Sequence, residues 1–211
     1  MRKKLLILLF FLISYGSYAQ VELGFKFTPT VSSSRLNSDS DDFNYSSDGV
    51  GIRFAAGPFA DFAFRENYYF STGVFLVSNR AAFEITDKTT NARYKEEYGV
   101  QYIQIPLAIK LYTNEIALDK RIYFQIGTTM EFNVKEKKKS EEYMAVENFR
   151  FFNSTLQVGF GLDYKIGLNT SVFAGVSYNR GLINLVADRS DAVDKFSLKN
   201  DYFGLDLGIK F

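Results

Sequence analysis

The 211-residue chain contains no cysteine, no histidine and no tryptophan, and only three prolines. Without cysteine there is no disulfide framework, no thiolate metal site and no thiol for a lipid anchor. Without histidine the usual general base of serine hydrolysis and the commonest metal ligand are missing. Enzymes that hydrolyse or transfer lipid acyl groups at a membrane surface, and omptin-like proteases, generally rely on one. Scarce proline removes little from a β-ladder, because proline is the one residue that cannot donate to it. Long apolar runs are also lacking. The longest, Leu5 to Ile13, is about nine residues, where a spanning helix needs roughly 20.

That short run sits behind Arg2, Lys3 and Lys4 and before Ser17-Tyr18-Ala19, a small-x-small cleavage pattern, so residues 1–19 read as a secretory signal peptide. The remainder, 20–211, suits one domain. Loss of the three basic residues leaves 22 basic against 24 acidic groups, a net charge of about −2, so no nucleic-acid partner is expected.

Aromatic residues are plentiful: 22 Phe and 14 Tyr, 17% of the chain. They suit pleated surfaces. Reading for period-2 alternation predicts eight strands, near 21–28, 50–64, 68–79, 98–112, 122–134, 151–166, 170–182 and 199–211. One parity is apolar throughout: Val21, Leu23, Phe25 and Phe27 on the first strand, Ile103, Ile105, Leu107, Ile109 and Leu111 on the fourth. The other holds Lys26, Arg53, Asp61, Lys110, Glu131, Asp163, Lys165, Asp206 and Lys210, with glycines between them. A lipid-facing Lys or Arg costs roughly 2–4 kcal/mol at the bilayer midplane, which accounts for a charge-free face. Arg80, Arg180 and Asp201 depart from the rule at the rims. The connections alternate between long polar ones (29–49, 80–97, 135–150, 183–198) and short ones (65–67, 114–120, 167–169), the pattern of an outer-membrane barrel with long loops outside. The expected fold is therefore all-β: an eight-stranded antiparallel up-and-down transmembrane β-barrel in the cell outer membrane. A soluble lipocalin-type barrel has the same parity turned inside out. Glycines among the charges and long loops at one end favour the membrane form.

Tyr102-Ile103-Gln104-Ile105-Pro106-Leu107-Ala108-Ile109-Lys110 resembles the "Y-L-E-I-P-L-L-L-K" segment of the PorT-like outer-membrane β-barrel family. Tyr178 to Asn184 is similar to its "Y-x-x-G-L-x-N" strand end, and Phe203 to Phe211 to its closing strand. The resemblance implies a barrel and an outer-membrane location. It implies no shared reaction, although PorT itself is linked to a protein-secretion system.

The residues that carry charge offer little chemistry. Asp61, Glu131, Asp163 and Asp206 share the lumen parity with Lys26, Arg53, Lys110, Lys165 and Lys210, and a barrel this narrow fills with side chains, so an ion-pair plug is expected. Replacing Arg53 is then expected to destabilise the barrel. Asp39, Asp41, Asp42 and Asp48 form an acidic cluster without the spacing of a calcium loop. Lys135 to Glu142 is a balanced charge run that extends a hairpin or meets lipopolysaccharide phosphates. Gly159-Phe160-Gly161 lies within a strand, where the glycines relieve crowding. No catalytic, metal or cofactor residues are assigned and no cofactor is expected. The expected role is non-enzymatic: structural, adhesive or envelope-assembly work through extracellular loops, with a secretion component, a narrow channel or a soluble ligand-binding barrel as alternatives. The expected partners are outer-membrane lipid and lipopolysaccharide, the barrel-assembly machinery, and an extracellular or envelope protein.

Overall fold

The structure, a computed structural model, describes residues 21–38, 40–139, 145–189 and 195–211. The signal segment, Asp39 and part of the Lys135 to Glu142 run lie outside them. Among the described residues the strands are β1 (Val21–Ser38), β2 (Phe43–Ser47), β3 (Val50–Arg65), β4 (Tyr68–Gly73), β5 (Phe75–Asp87), β6 (Arg93–Tyr112), β7 (Lys120–Lys138), β8 (Val146–Phe149), β9 (Phe152–Lys165), β10 (Ser171–Gly181), β11 (Val186–Arg189) and β12 (Phe196–Lys210). All pairings are antiparallel. β1 pairs with both β3 and β12, so the sheet closes on itself, with β4 and β5 forming one interrupted wall strand. The wall thus has the eight strands that the alternation predicts.

The interruption has a local cause. Gln104 pairs with Phe75 and Leu107 with Thr72, which leaves Pro106, without an N–H, beside the break at Val74. On the other flank Pro58 also lacks a donor, and its carbonyl accepts from Val74 N–H at 3.1 Å. Gly57 lies so close that a Cβ there would collide with the Val74 carbonyl and the Phe75 Cα. Two prolines and a glycine therefore flank one gap in the ladder, across which the register is unchanged and where the prolines have no donor to lose. At the opposite end of the wall the tight connections hold Asn67 and Asp119 at φ of 63° and 60°, a left-handed backbone that Asn and Asp tolerate.

The apolar parity faces outward. Leu23, Phe25, Phe54, Ile109, Ile126, Phe160, Leu205 and Leu207 are all exposed, whereas Asp61, Lys110, Glu131, Asp163, Asp206 and Lys210 are buried inside. That orientation excludes the lipocalin arrangement. On β6 the outward set is apolar from Ile103 to Leu111 and polar from Arg93 to Gln101. On β12 the change falls between Asp201 and Phe203, and on β1 between Val31 and Ser33. The apolar belt is thus about nine residues deep, the length of a tilted membrane-spanning strand.

Strands do not stop where the belt stops. β1 runs on to Ser38 and β5 to Asp87, and β6 begins at Arg93, so much of the expected loops 29–49 and 80–97 is β-structure. Above the belt the inner face turns apolar: Phe83 and Ile85 on β5, Tyr98 and Val100 on β6, and Leu198 on β12 join Val146, Phe149 and Leu185 in a buried cluster. β2 pairs with the upper part of β5, and β8 with β11. The β5 arm leans into the mouth, where Ala82 N–H donates to Ser34 Oγ of β1 and the Asn200 amide of β12 donates to the Arg80 carbonyl. Together these elements form a packed dome over the barrel.

Candidate functional site

The lumen is organised in layers. Nearest the short connections, the Lys210 ammonium donates to Glu22 at 2.8 Å and to Tyr112 Oη at 2.9 Å, and lies 2.8 Å from Asp163. Arg121 reaches the other Asp163 oxygen at 3.5 Å and stacks over the Tyr112 ring. One layer up, Lys110 donates to Asp61 at 2.6 Å with the rings of Phe59, Tyr123 and Phe173 around its ammonium. Next, Asp206 accepts from Thr28 at 2.7 Å and Ser177 at 3.2 Å, with Lys26 at 3.7 Å. A cavity of about 20 Å³ beside Lys26, Lys110 and Asp206 has room for about one water. Higher still, Glu131 accepts from Gln104 (3.0 Å), Asn153 (2.6 Å) and Tyr202 (2.8 Å). The dome lies above this carboxylate.

A catalytic carboxylate pair would need both oxygens free to meet a substrate and water. Each of these four carboxylates instead faces a cation or several donors inside a filled tube. The glycines serve that filling: a Cβ on Gly161 would sit 2.6 Å from the Tyr123 ring, so Gly161 makes room for a tyrosine in the lumen.

Two of the residues assigned to the lumen lie elsewhere. Lys165 is exposed at the end near the short connections. Arg53 sits at the dome end, partly exposed, 3.6 Å from Glu97. The expectation that losing Arg53 destabilises the barrel is corrected accordingly, since β3 parts from β5 above Phe54 and lets this side chain out to the rim. A solvent-washed pair there contributes about 0–1 kcal/mol. In the acidic cluster, Asp48 is held by Lys95 at 2.9 Å and Arg80 at 3.2 Å, and Asp41 and Asp42 are exposed.

The residues missed by the sequence reading are those of the dome. Their signal is a second alternation, Ala81-x-Phe83-x-Ile85 with Tyr94, inside the segment 80–97 that reads as a polar loop, running on to Tyr98 and Val100 at the start of the predicted strand 98–112. Its two adjacent carboxylates titrate in opposite senses. Glu97, on the outer face of β6, is held down to about 2 by its hydrogen bond from Arg80, with Lys139 assisting and partial burial opposing. Glu96, on the inner face, is buried and pushed upward by desolvation, against hydrogen bonds from Tyr98 Oη and Ala145 N–H.

A depressed carboxylate stabilises fully above its ordinary value of 4.5, and that contribution disappears as pH falls toward about 2. Glu96 acts oppositely, favouring the fold most when protonated. Dome stability, read as resistance to an acid-active protease, is therefore expected to fall by on the order of 1–2 kcal/mol between those pH values. Glu97→Gln should flatten that limb. An unchanged limb in the variant would assign it to another group.

A family model described as "Outer membrane protein beta-barrel domain" matches residues 17–187. No functionally curated protein matches the sequence. Among solved structures, the outer membrane protein OprG from Pseudomonas aeruginosa aligns at 15% identity with a TM-score of 0.54, covering 92% of this chain and 96% of that one. Neisserial surface protein A aligns at 11% identity and 0.43, covering 88% and 95%. Ail of Yersinia pestis, solved in complex with the heparin analogue sucrose octasulfate, aligns at 13% and 0.39, covering 91% and 99%. The likeness to OprG is one of fold.

Proposed function

Because the chain belongs to the outer membrane protein β-barrel domain family and resides in the cell outer membrane, we propose that it is a non-enzymatic, non-conducting scaffold whose extracellular dome is its recognition surface. The observation that carries this reading is the continuous filling of the lumen. Buried ion pairs and hydrogen-bonded carboxylates occupy the tube from Lys210 to Glu131, and the Phe83 cluster roofs it. A channel needs a connected water path, whereas an eight-stranded wall leaves only enough room for side chains. What remains for function is a rigid platform outside the cell, the usual place for partner recognition on such scaffolds.

Planar-bilayer recording tests it. The folded protein is expected to give no discrete conductance steps, and reproducible steps would overturn the closed-scaffold reading. Turnover of envelope lipids by the purified protein, abolished by Asp163→Asn, would overturn the non-enzymatic part. A second reading, a component of protein secretion, is supported by the likeness of Tyr102 to Lys110 to PorT-like barrels. The extracellular proteome of a deletion strain tests it: an unchanged proteome removes that role.

A further inference from the structure

The outer face of the wall carries a basic groove at the upper edge of the apolar belt. Three rows across β5, β6 and β7 define it. Leu76, Ile103 and Phe132 form the last apolar row, above which lie Ser78, Gln101 and Lys135, and then Arg80, Gly99 and Lys137. Rows two residues apart are roughly 7 Å apart along a strand, so the lysines stand at headgroup height rather than in hydrocarbon.

The lysines face outward because of a bulge. Lower on β7 the odd-numbered residues Tyr123, Gln125, Thr129 and Glu131 are buried in the lumen. A register shift leaves Val134 as the extra residue between the Tyr102–Asn133 and Gln101–Lys135 pairs, which reverses the parity. Lys135, Lys137 and Lys139 thereby line one side of the groove and Arg53 the other, around about 270 Å³ of space. Arg53 and Lys139 share the Glu97 carboxylate, at 3.6 and 2.9 Å. Lys135 and Lys137 are exposed and have no ion-pair partner among the described residues. The floor is Gly99, where an added Cβ would meet only the Lys137 carbonyl at 3.9 Å. That glycine is not demanded by packing, and its missing side chain keeps the groove open.

We propose that this groove seats the phosphorylated headgroup of an outer-leaflet glycolipid, with Lys135 and Lys137 holding the phosphate and Arg53 closing the far side. Two ammonium groups with no ion-pair partner among the described residues match a phosphate in charge, and the apolar row beneath continues directly into the surface that acyl chains cover. The site is independent of what the dome recognises, so neither idea stands or falls with the other.

The test uses the folded full-length protein in detergent micelles and native mass spectrometry of lipid adducts. The probes are bisphosphorylated lipid A, the same lipid with its phosphates removed, and inorganic phosphate as competitor. Saturable binding of the bisphosphorylated lipid is expected. Lys135→Gln/Lys137→Gln should weaken it at least roughly tenfold, the scale of losing charge-assisted hydrogen bonds. Gly99→Leu, which fills the floor and leaves every charge, should weaken it too. Equal binding of the dephosphorylated lipid would reduce the contact to ordinary solvation of the belt and overturn the proposal. Full affinity in the lysine variant would overturn it as well. Competition by inorganic phosphate at concentrations comparable to the lipid would replace the lipid with a free anion. If a variant fails to show the heat-modifiable folded band, the comparison of the two lipids on the unaltered protein decides alone.

Discussion

Lys110→Met is expected to destabilise the barrel by about 3–5 kcal/mol, the cost of leaving a buried charge without its partner. Asp61 is fully buried, and Lys110 is its ion-pair partner at 2.6 Å. Methionine preserves most of the lysine stem among Phe59, Tyr123 and Phe173, so the loss reports on charge rather than on a cavity. The double variant Asp61→Asn/Lys110→Met, carrying no stranded charge, should recover much of the loss. The measurement is the urea dependence of the folded, heat-modifiable gel band for wild type, both single variants and the double. A near-wild-type midpoint for Lys110→Met would mean that the small adjoining cavity hydrates Asp61 well enough to replace the lysine.

Phe83→Ala is expected to cost about as much, about 3–5 kcal/mol for a fully buried phenylalanine, but at a different place. Phe83 is completely buried, its ring 5.5 Å from that of Phe196 and 6.4 Å from that of Tyr98. It belongs to the dome, while the lipid-facing wall is held by its own closed ladder. The expected result is a locally loosened structure: protease cuts within the β5–β6 arm, with the heat-modifiable barrel retained, as for a separable cooperative unit. Complete loss of the folded band would show instead that dome and wall fold as one. Single-channel steps appearing only in this variant would show that the dome, and not the ion pairs beneath it, is the seal.

The wall was legible in the chain. Alternation on β6 and β12 placed Ile103 to Leu111 and Phe203 to Ile209 on one face and Lys110, Asp206 and Lys210 on the other, and the structure keeps every one of those assignments. The strand ends were not legible, for a definite reason. The outward parity ceases to be apolar where the membrane ends and not where the hydrogen-bonded ladder ends, so the alternation carries no mark of the true strand end. Past Gln101 the solvent changes from lipid to water, so apolar and polar faces exchange sides while the backbone continues unchanged. A hydrophobic pattern that inverts along one strand reads as a loop unless the neighbouring strands are in view.

Sequence alone determined that this protein is an eight-stranded antiparallel barrel with one charge-free parity, because a period of two along each strand and the cost of charge in hydrocarbon sort the residues onto two faces, while the glycines among the charges and the alternation of loop lengths favoured the lipid-facing choice. Tertiary structure alone decided which charges pair, Lys110 with Asp61 and Lys210 with Glu22 and Asp163, and it turned Arg53 and Lys135 outward and built the Phe83 dome. Those outcomes depend on the register between strands distant in sequence and on single-residue bulges, and a one-residue shift in either carries a side chain from the lumen to the outer face.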